Sequence, residues 1–417
     1  MRGKQLSAGL RATLIIFTVT LFVASAAAAT APTEKVLYNF KNNNKDGVGP
    51  YAGLIRDSAG NLYGTTLYGG IYGGGSVFEL SPRTGGGWTE KILHNFDNTT
   101  LEDGYSPYGN LVLDASGNLY GTTVLGGNNS LEGLGTVFEL KPKTGGGWTE
   151  QILYNFGNNA TDAVYPYAGL ILDSSGNLYG TTSEGGSFGY GTVFELSLKA
   201  GSWTETILYN FDDNGTDGIN PYGSVIFDST GNLYGTTGLG GVDSEGTVFE
   251  LTLTAGTWTE SVLHSFSETD GYEPFANVIF DSAGNLYGTT LYGGVYDYGT
   301  VFELASVSGS WTETTLHSFN DNFTDGYFPG AGLIIDSAGN LYGTTTEGGV
   351  DGYGMVFELK PKAGGGWTET VLHNFNDNGK DGFYPYAGLI FDASGNLYGT
   401  TSSGGVNSEG TVFEVMP

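Results

Sequence analysis

The sequence contains no cysteine, which excludes disulfides, thiolate metal sites and a lipidated-cysteine anchor. Basic residues are also scarce, with 15 Lys and Arg against 44 Asp and Glu and a formal net charge of −29. A surface this acidic repels phosphate backbones, so we expect no nucleic-acid partner. The fold must be held by a hydrophobic core, for which the chain is long enough.

Long hydrophobic runs are confined to the first 29 residues, so we expect no membrane span in the rest of the chain. Residues 1–29 are typical of a secretory signal peptide: three basic residues, an apolar stretch and a small-residue tail that allows cleavage after Ala26 or Ala29. The alternative is an uncleaved membrane anchor, but the apolar stretch is shorter than the ~20 residues a span needs. We therefore expect a secreted, periplasmic or otherwise extracellular protein.

A seven-fold repeat organises the remainder of the chain. The string G-N-L-Y-G-T-T begins at seven glycines, and successive copies lie 53 to 59 residues apart: Gly60, Gly117, Gly176, Gly231, Gly284, Gly339 and Gly395. Glycine-rich turns alternate with short runs of Tyr, Phe, Val and Thr, which indicates an all-β protein. A period of this length is typical of solenoids and propellers.

Each repeat predicts four short antiparallel strands, as in one blade of a β-propeller. In the third copy these are residues 166–173, 178–182, 192–196 and 203–211. The sequence therefore predicts a seven-bladed propeller over residues 30–417, with an open β-solenoid as the alternative. Its blades span residues 50–96, 107–156, 166–211, 221–266, 274–319, 329–375 and 385–417.

The two ends of the chain complement each other. Residues 33–40 match the fourth strand of the repeat, whereas the chain finishes on a third strand at 411–415. We therefore predict that the N-terminal strand completes blade seven and closes the ring, since closure removes an exposed sheet edge.

The repeated units D-[SA]-[SAT]-G-N-L-Y-G-T-T, G-T-V-F-E-L and W-T-E resemble the GloVer-type tandem repeats of extracellular bacterial proteins. The likeness covers residues 33–417. A weaker likeness links the D-x-x-G-N-L-Y turn to NHL-type propellers. The resemblance implies an extracellular location and a repeat architecture, but no defined activity and no catalytic residues. GloVer proteins often carry a C-terminal sorting anchor, whereas this sequence stops at Pro417, so we expect release or periplasmic residence.

Neither the histidines nor the repeated glutamates predict a catalytic site. Four histidines share one position of the fourth strand with three tyrosines, which favours aromatic packing over a catalytic base. Glutamates recur in V-F-E and W-T-E; paired carboxylates serve glycoside hydrolysis, but seven-fold repetition favours structural hydrogen bonds or salt bridges. We predict no metal site and no cofactor, with calcium in the Asn/Asp-rich loops 212–218 and 376–382 as an alternative to simple Asx turns.

A ligand is expected on the propeller face that gathers the Gly-Gly loops and the D-G-x-x-P-Y loops. Aromatic and acidic groups collect there and suit sugars, peptides or cations. The candidate binding residues are Tyr68, Tyr72, Tyr190, Tyr296, Tyr298, Tyr327, Tyr353, Asp297, Asp351 and Arg56. Arg56 replaces an apolar residue that the other six copies keep. Gly330 stands where most copies have Tyr after the proline, which would open space at blade six.

The lead hypothesis is a non-enzymatic, monomeric exported protein that binds a glycan, peptide or protein partner through this face. A glycan-active hydrolase or lyase at the propeller axis is one alternative. A structural envelope or matrix protein is another.

Overall fold

The computed structural model describes residues 31–417 except Leu101, residues 128–132 and residue 308. The predicted signal peptide lies outside the described residues. The described part contains no helix and seven four-stranded antiparallel sheets. This confirms the predicted all-β, seven-bladed propeller.

We name the four strands of a blade inner, second, third and outer. In that order they are Ile55–Arg56, Leu62–Thr66, Ser76–Pro82 and Trp88–Asn95 in blade one; Val112–Leu113, Leu119–Thr123, Thr136–Pro142 and Trp148–Asn155 in blade two; Ile171–Leu172, Leu178–Thr182, Thr192–Lys199 and Ser202–Asn210 in blade three; Ile226–Phe227, Leu233–Thr237, Thr247–Thr254 and Thr257–Ser265 in blade four; Ile279–Phe280, Leu286–Thr290, Thr300–Val307 and Ser310–Ser318 in blade five; Ile334–Ile335, Leu341–Thr345, Met355–Pro361 and Trp367–Asn374 in blade six; Ile390–Phe391, Leu397–Thr401, Thr411–Met416 and Thr33–Asn39 in blade seven.

The inner strands are much shorter than the sequence predicts. In blade three only Ile171–Leu172 pairs with the second strand, whereas the expected strand began at Pro166. The residues nearest the axis bond to a neighbouring blade instead: Thr122 Oγ1 donates to the carbonyl of Ala168 at 2.8 Å. Near the axis, hydrogen bonds between neighbouring blades therefore take the place of part of the backbone pairing within a blade.

Short two-stranded ribbons, which the sequence did not predict, join each inter-blade loop to the Gly-Gly loop that follows. They pair Gly47–Val48 with Tyr68–Gly69, Gly104–Tyr105 with Leu125–Gly126, Ala163–Val164 with Glu184–Gly185, Gly218–Ile219 with Leu239–Gly240, Gly326–Tyr327 with Glu347–Gly348, and Gly382–Phe383 with Ser403–Gly404. In blade five a single bridge between Tyr272 and Tyr292 takes this place. The ribbons hold both loops of a blade on one face of the propeller, which we call the loop face.

The hydrophobic core lies between the blades. A buried phenylalanine at the end of each outer strand meets the third-strand phenylalanine of the next blade edge-on, with ring centroids 5.0 to 5.3 Å apart. The glycine of L-Y-G-T-T makes room for this second ring. At Gly180 a Cβ would lie 2.8 Å from Phe194 Cζ. Each sheet thus buries its faces only when its neighbours are present, as expected for a repeat protein.

The N-terminal strand closes the ring as predicted. Thr33–Asn39 pairs antiparallel with Thr411–Met416 and forms the outer strand of blade seven. Phe40, which is fully buried, packs on Phe78 of blade one. On the axis side, Thr400 Oγ1 donates to the Ala52 carbonyl at 2.9 Å, so blade seven is joined to blade one at both its rim and its axis.

Candidate functional site

A collar of six aromatic side chains surrounds the propeller axis on the loop face. Each comes directly after the proline that ends an inter-blade loop, and together they are Tyr51, Tyr108, Tyr167, Tyr222, Phe275 and Tyr386. Their rings contact one another in an unbroken series from Tyr386 through Tyr51 to Phe275, with centroids 5.0 to 5.7 Å apart. The backbone of the repeat positions all six, because proline fixes the start of each inner segment.

The collar is interrupted at blade six, where Gly330 occupies the seventh aromatic position. A cavity of about 450 Å³ opens beside this gap, and Leu291 and Thr346 contribute to its wall together with five collar rings. This volume lies within the range of small-ligand sites in proteins.

The backbone does not require glycine at position 330. Its φ is not in the left-handed region, and a Cβ built there would meet only Leu291 Cδ1, at an ordinary 3.5 Å. By contrast, the residue two positions earlier has a positive φ in every copy, whatever its side chain, as in Phe328 at 60° and Tyr165 at 60°. The backbone would therefore accept a larger side chain at position 330, and its conformation does not explain why the ring is absent there.

Burial and nearby charged groups raise the pKa of the collar tyrosines. Burial raises the pKa of Tyr167, and the charge of Glu184 raises it further. Burial and then the neighbouring tyrosines raise the pKa of Tyr108 to about 12. The collar hydroxyls therefore stay neutral at physiological pH and can both donate and accept hydrogen bonds.

A space of about 100 Å³ follows the axis and is lined by the collar together with small and polar residues, among them Asn110, Ser224 and Asn277. Asn110 Oδ1 accepts from the Gly53 amide at 2.6 Å, and Ser224 Oγ donates to the Gly169 carbonyl at 3.0 Å. Asn110 and Ser224 therefore join neighbouring blades around the axis.

The predicted binding residues lie around this collar and not in it. Tyr68 and Tyr72 line a separate groove of about 380 Å³ with Asn42, Asn44 and Val48. Tyr296 is half exposed in the Gly-Gly loop of blade five. Asp297 accepts a hydrogen bond from the Tyr272 hydroxyl at 3.0 Å, and Asp351 is exposed.

Four of the predicted tyrosines are partly buried and pack against the core between blades: Tyr190, Tyr298, Tyr327 and Tyr353. Tyr298 contacts the rings of Tyr327 and Phe328, and Tyr353 contacts Phe383 and Tyr384. Arg56 is exposed at the end of the inner strand of blade one, directly before the D-x-x-G-N turn. Those turns lie at the opposite ends of the strands from the loop face, so Arg56 is not part of the same surface.

The sequence carried a signal for the collar that the list of candidates did not use. The residue after proline is aromatic in six copies and glycine in one. The candidate tyrosines instead came from the Gly-Gly loops, except Tyr327, which lies two residues before the loop proline. The residue directly before that proline has a left-handed φ in every copy.

A second set of polar clusters lies near the rim, between the outer strands. At each blade junction, the His or Tyr of one outer strand and the Asp of the following loop meet the W-T-E glutamate of the next blade. The seven clusters are Tyr38–Asp46–Glu90, His94–Asp103–Glu150, Tyr154–Asp162–Glu205, Tyr209–Asp217–Glu260, His264–Asp270–Glu313, His317–Asp325–Glu369 and His373–Asp381–Glu34. We call them Tyr-type and His-type junctions. The W-T-E glutamates thus lie between blades, while the V-F-E glutamates bond within one blade, as Glu250 does to Tyr234.

The side chains of the predicted calcium loops are turned towards their own backbone. Asn214 Oδ1 accepts from the amides of Thr216 and Asp217, and Asn378 Oδ1 accepts from those of Lys380 and Asp381. These are Asx turns, as the sequence indicated. Calcium binding in these loops was the alternative, and it stays untested.

The repeat identifies the family. The Gloeobacter/Verrucomicrobia repeat matches residues 18–173, 91–283 and 259–417, and the chain therefore belongs to this family of tandem-repeat proteins. No curated protein matches the chain.

Solved structures share the propeller fold at low sequence identity. A polysaccharide lyase of family PL25, an ulvan lyase bound to a GlcA–Rha3S unit, has a TM-score of 0.55 and 11% identity, covering 91% of this chain and 94% of the lyase. A protein assigned as a 6-phosphogluconolactonase from Bacteroides uniformis has a TM-score of 0.53 and 14% identity, covering 81% and 88%. The extracellular domain assigned to a hybrid two-component system of B. thetaiotaomicron has a TM-score of 0.55 and 11% identity, covering 91% of this chain and 40% of that one. These likenesses establish the fold alone. Among the described residues, no helix has the length and apolarity to cross a membrane.

Proposed function

We propose that this protein is an exported, non-enzymatic propeller that binds a neutral glycan in the axial cavity beside Gly330. The observation that carries the proposal is the single gap in an otherwise continuous aromatic collar, at a position where the backbone accepts a side chain. The signal-peptide pattern of residues 1–29 and the family support export.

The chemistry of the collar suits a sugar. Aromatic rings such as Tyr222 and Phe275 offer apolar faces to the C–H groups of a pyranose, and the phenols of the collar offer hydrogen-bonding partners for its hydroxyls. The net charge of −29 opposes an anionic ligand, which favours neutral sugars. Peptides and partner proteins are too large for a 450 Å³ cavity except through one inserted side chain.

The decisive variant is Gly330→Tyr, which restores the repeat and fills the gap. The mature chain is titrated calorimetrically against a panel of neutral, amino and uronic-acid oligosaccharides, including a sulfated GlcA–Rha unit. We expect a neutral glycan to bind with micromolar affinity and its binding to fall at least about tenfold in Gly330→Tyr, which is about 1.4 kcal/mol.

The matched control is the pair Tyr68→Ala and Tyr72→Ala in the outer groove. Glycan binding that survives in Gly330→Tyr but disappears in this pair would move the site from the axis to the groove. Release of shortened or unsaturated products from any oligosaccharide of the panel would favour the hydrolase or lyase alternative.

A further inference from the structure

The His-type junction between blades five and six gathers three metal-ligating side chains. His317 lies on the outer strand of blade five, Asp325 in the following loop and Glu369 on the outer strand of blade six. One donor atom from each lies within 4.8 Å of the other two. The Asp325 side chain is 91% buried, since only 9% of it is exposed, while His317 keeps a 21% exposed edge.

Each of the three side chains has a buried polar atom without a hydrogen-bond partner. These atoms are His317 Nε2, Asp325 Oδ1 and Glu369 Oε1. The second oxygen of Asp325 accepts from the Asn320 amide at 3.1 Å, which fixes the carboxylate in place. Unpartnered buried polar atoms are costly, and the three atoms here belong to side chains whose ligand atoms lie within 4.8 Å of one another.

The distance between the imidazole and the Asp325 carboxylate is compatible with a small tetrahedral cation. His317 Nε2 and Asp325 Oδ2 are 3.3 Å apart. Two ligands of a tetrahedral zinc ion are separated by about 3.3 Å when each bond is about 2.0 Å long. Imidazole with two carboxylates is a ligand set that zinc accepts, with a water in the fourth position.

The junction between blades one and two repeats this arrangement. His94 Nε2, Asp103 Oδ1 and Glu150 Oε1 are again buried and unpartnered, and His94 Nε2 lies 3.4 Å from Asp103 Oδ2. One ligand atom from each of the three side chains again lies within 4.8 Å of the other two. Asp103 Oδ2 accepts from the Asp97 amide at 2.9 Å, as Asp325 does from Asn320.

The other two His-type junctions differ in that their imidazole nitrogen is hydrogen-bonded. Glu34, His373 and Asp381 also bring ligand atoms within 4.8 Å of one another, but His373 Nε2 lies 3.0 Å from Asp381 Oδ2. His264 Nε2 approaches Asp270 Oδ2 at 3.0 Å, and Glu313 Oε1 accepts from the Thr315 hydroxyl at 3.1 Å. In the Tyr-type junctions a phenol takes the place of the imidazole, and a neutral phenol is not a metal ligand of the same kind. The phenol is hydrogen-bonded to the carboxylates, as Tyr154 is to Asp162 and Glu205.

We propose that the His94–Asp103–Glu150 and His317–Asp325–Glu369 junctions are structural divalent-cation sites, of the chemistry that suits zinc. Each ion is held by the outer strands of two adjacent blades and fastens them together at the rim. This inference is independent of the glycan proposal, because the junctions lie near the rim and the collar lies at the axis.

The test uses the mature chain, freed of metal with a chelator, and zinc chloride as the probe. Zinc content after gel filtration and calorimetric titration give the stoichiometry, and thermal unfolding gives the effect on stability. We expect at least two ions per chain and a melting temperature that rises by a few degrees on zinc addition.

The variants His94→Tyr and His317→Tyr install the residue that other junctions already carry, so they preserve the fold, as circular dichroism would verify. Each is expected to lose one ion, and the double variant two. His264→Tyr is the matched control and is expected to keep the full stoichiometry. The absence of saturable zinc binding, or an unchanged stoichiometry in the double variant, would overturn the proposal and leave these junctions as ion pairs only.

Discussion

Tyr-type and His-type junctions solve the same packing problem in different ways. In both, the ring packs edge-on against a buried phenylalanine, as Tyr154 does on Phe156 and His317 on Phe319. The phenol of Tyr154 lies 3.0 Å from Asp162 Oδ1 and 3.1 Å from Glu205 Oε2, so its hydroxyl can donate to either carboxylate. The shorter imidazole of His94 or His317 leaves donor and acceptor atoms unpaired. A repeat can therefore keep its packing while it exchanges a hydrogen-bonded phenol for an imidazole whose nitrogen has no hydrogen-bond partner. Under our proposal, that nitrogen binds a metal ion.

The largest loss of stability is expected from deleting the N-terminal strand, which contributes side chains to one junction of each type. Residues 33–40 supply Tyr38 to a Tyr-type junction and Glu34 to a His-type junction, and they also bury Phe40. A chain that starts at residue 41 should lose several kcal/mol of stability, since burying one large apolar side chain alone stabilises by about 1.5–3 kcal/mol. Urea unfolding would measure the loss.

A permutant that carries residues 33–40 after Pro417 is the control for this deletion. Because it restores the outer strand of blade seven with a short connection, it should recover most of the lost stability. Equal stability of the deleted and intact chains would mean that the ring does not depend on its closing strand.

A smaller effect is the pH dependence of the free energy of unfolding that arises from Glu205 in a Tyr-type junction. Burial, and then the hydrogen bond and charge of Asp162, raise the pKa of Glu205 from 4.5 to about 9. The folded chain therefore keeps a proton that the unfolded chain releases near pH 4.5, and stability falls as pH rises from about 4.5 to about 9.

The substitution Glu205→Gln should remove this part of the pH dependence. We expect little change in the free energy of unfolding at pH 5 and a gain of more than about 1 kcal/mol at pH 9, since one unit of pKa shift corresponds to about 1.4 kcal/mol. Urea unfolding at both pH values would measure it. Parallel stability curves of the two proteins across this range would contradict the raised pKa.

The smallest effect is expected from exchanging ring types between adjacent junctions. Tyr209→His and His264→Tyr, made together in blades three and four, keep the aromatic contact and the total composition. We expect a change below about 1 kcal/mol in the free energy of unfolding, because volume-conserving replacements usually cost little. A loss of several kcal/mol would show that each junction is fitted to its own ring and that the two types are not interchangeable.

The sequence predicted the architecture well because its evidence was repeated seven times. Strand order, blade number and the closing strand all follow from the spacing of G-N-L-Y-G-T-T and from the offset between residues 33–40 and 411–415. The inner strands were overestimated, since nothing local reveals that Ala168 bonds to the preceding blade. The histidine rings pack on phenylalanines, as expected, but their carboxylate partners were not foreseen. Glu369, for example, lies 52 residues from His317 in the chain and reaches it only across a blade junction.

The candidate site was predicted only in outline. The loop face followed from the strand order, and the gap at Gly330 followed from a departure from the repeat. The aromatic residue after each loop proline was visible in the sequence but was not among the candidates. In two copies the residues on both sides of the proline are aromatic, as Tyr165 and Tyr167 are, and the sequence does not display the left-handed φ that the first of them adopts.

The offset pairing of Thr33–Asn39 with Thr411–Met416 also sets the order in which this molecule can be completed. A chain that is synthesised from its N-terminus can assemble blades one to six progressively, because each needs only contiguous residues. The first strand, however, has no partner until the last residues have appeared, and loop closure over such a separation is slow. Until this pairing forms, the N-terminal strand has unpaired backbone groups. We therefore expect the pairing to be the slow step of folding and the stage at which the chain is most prone to aggregation.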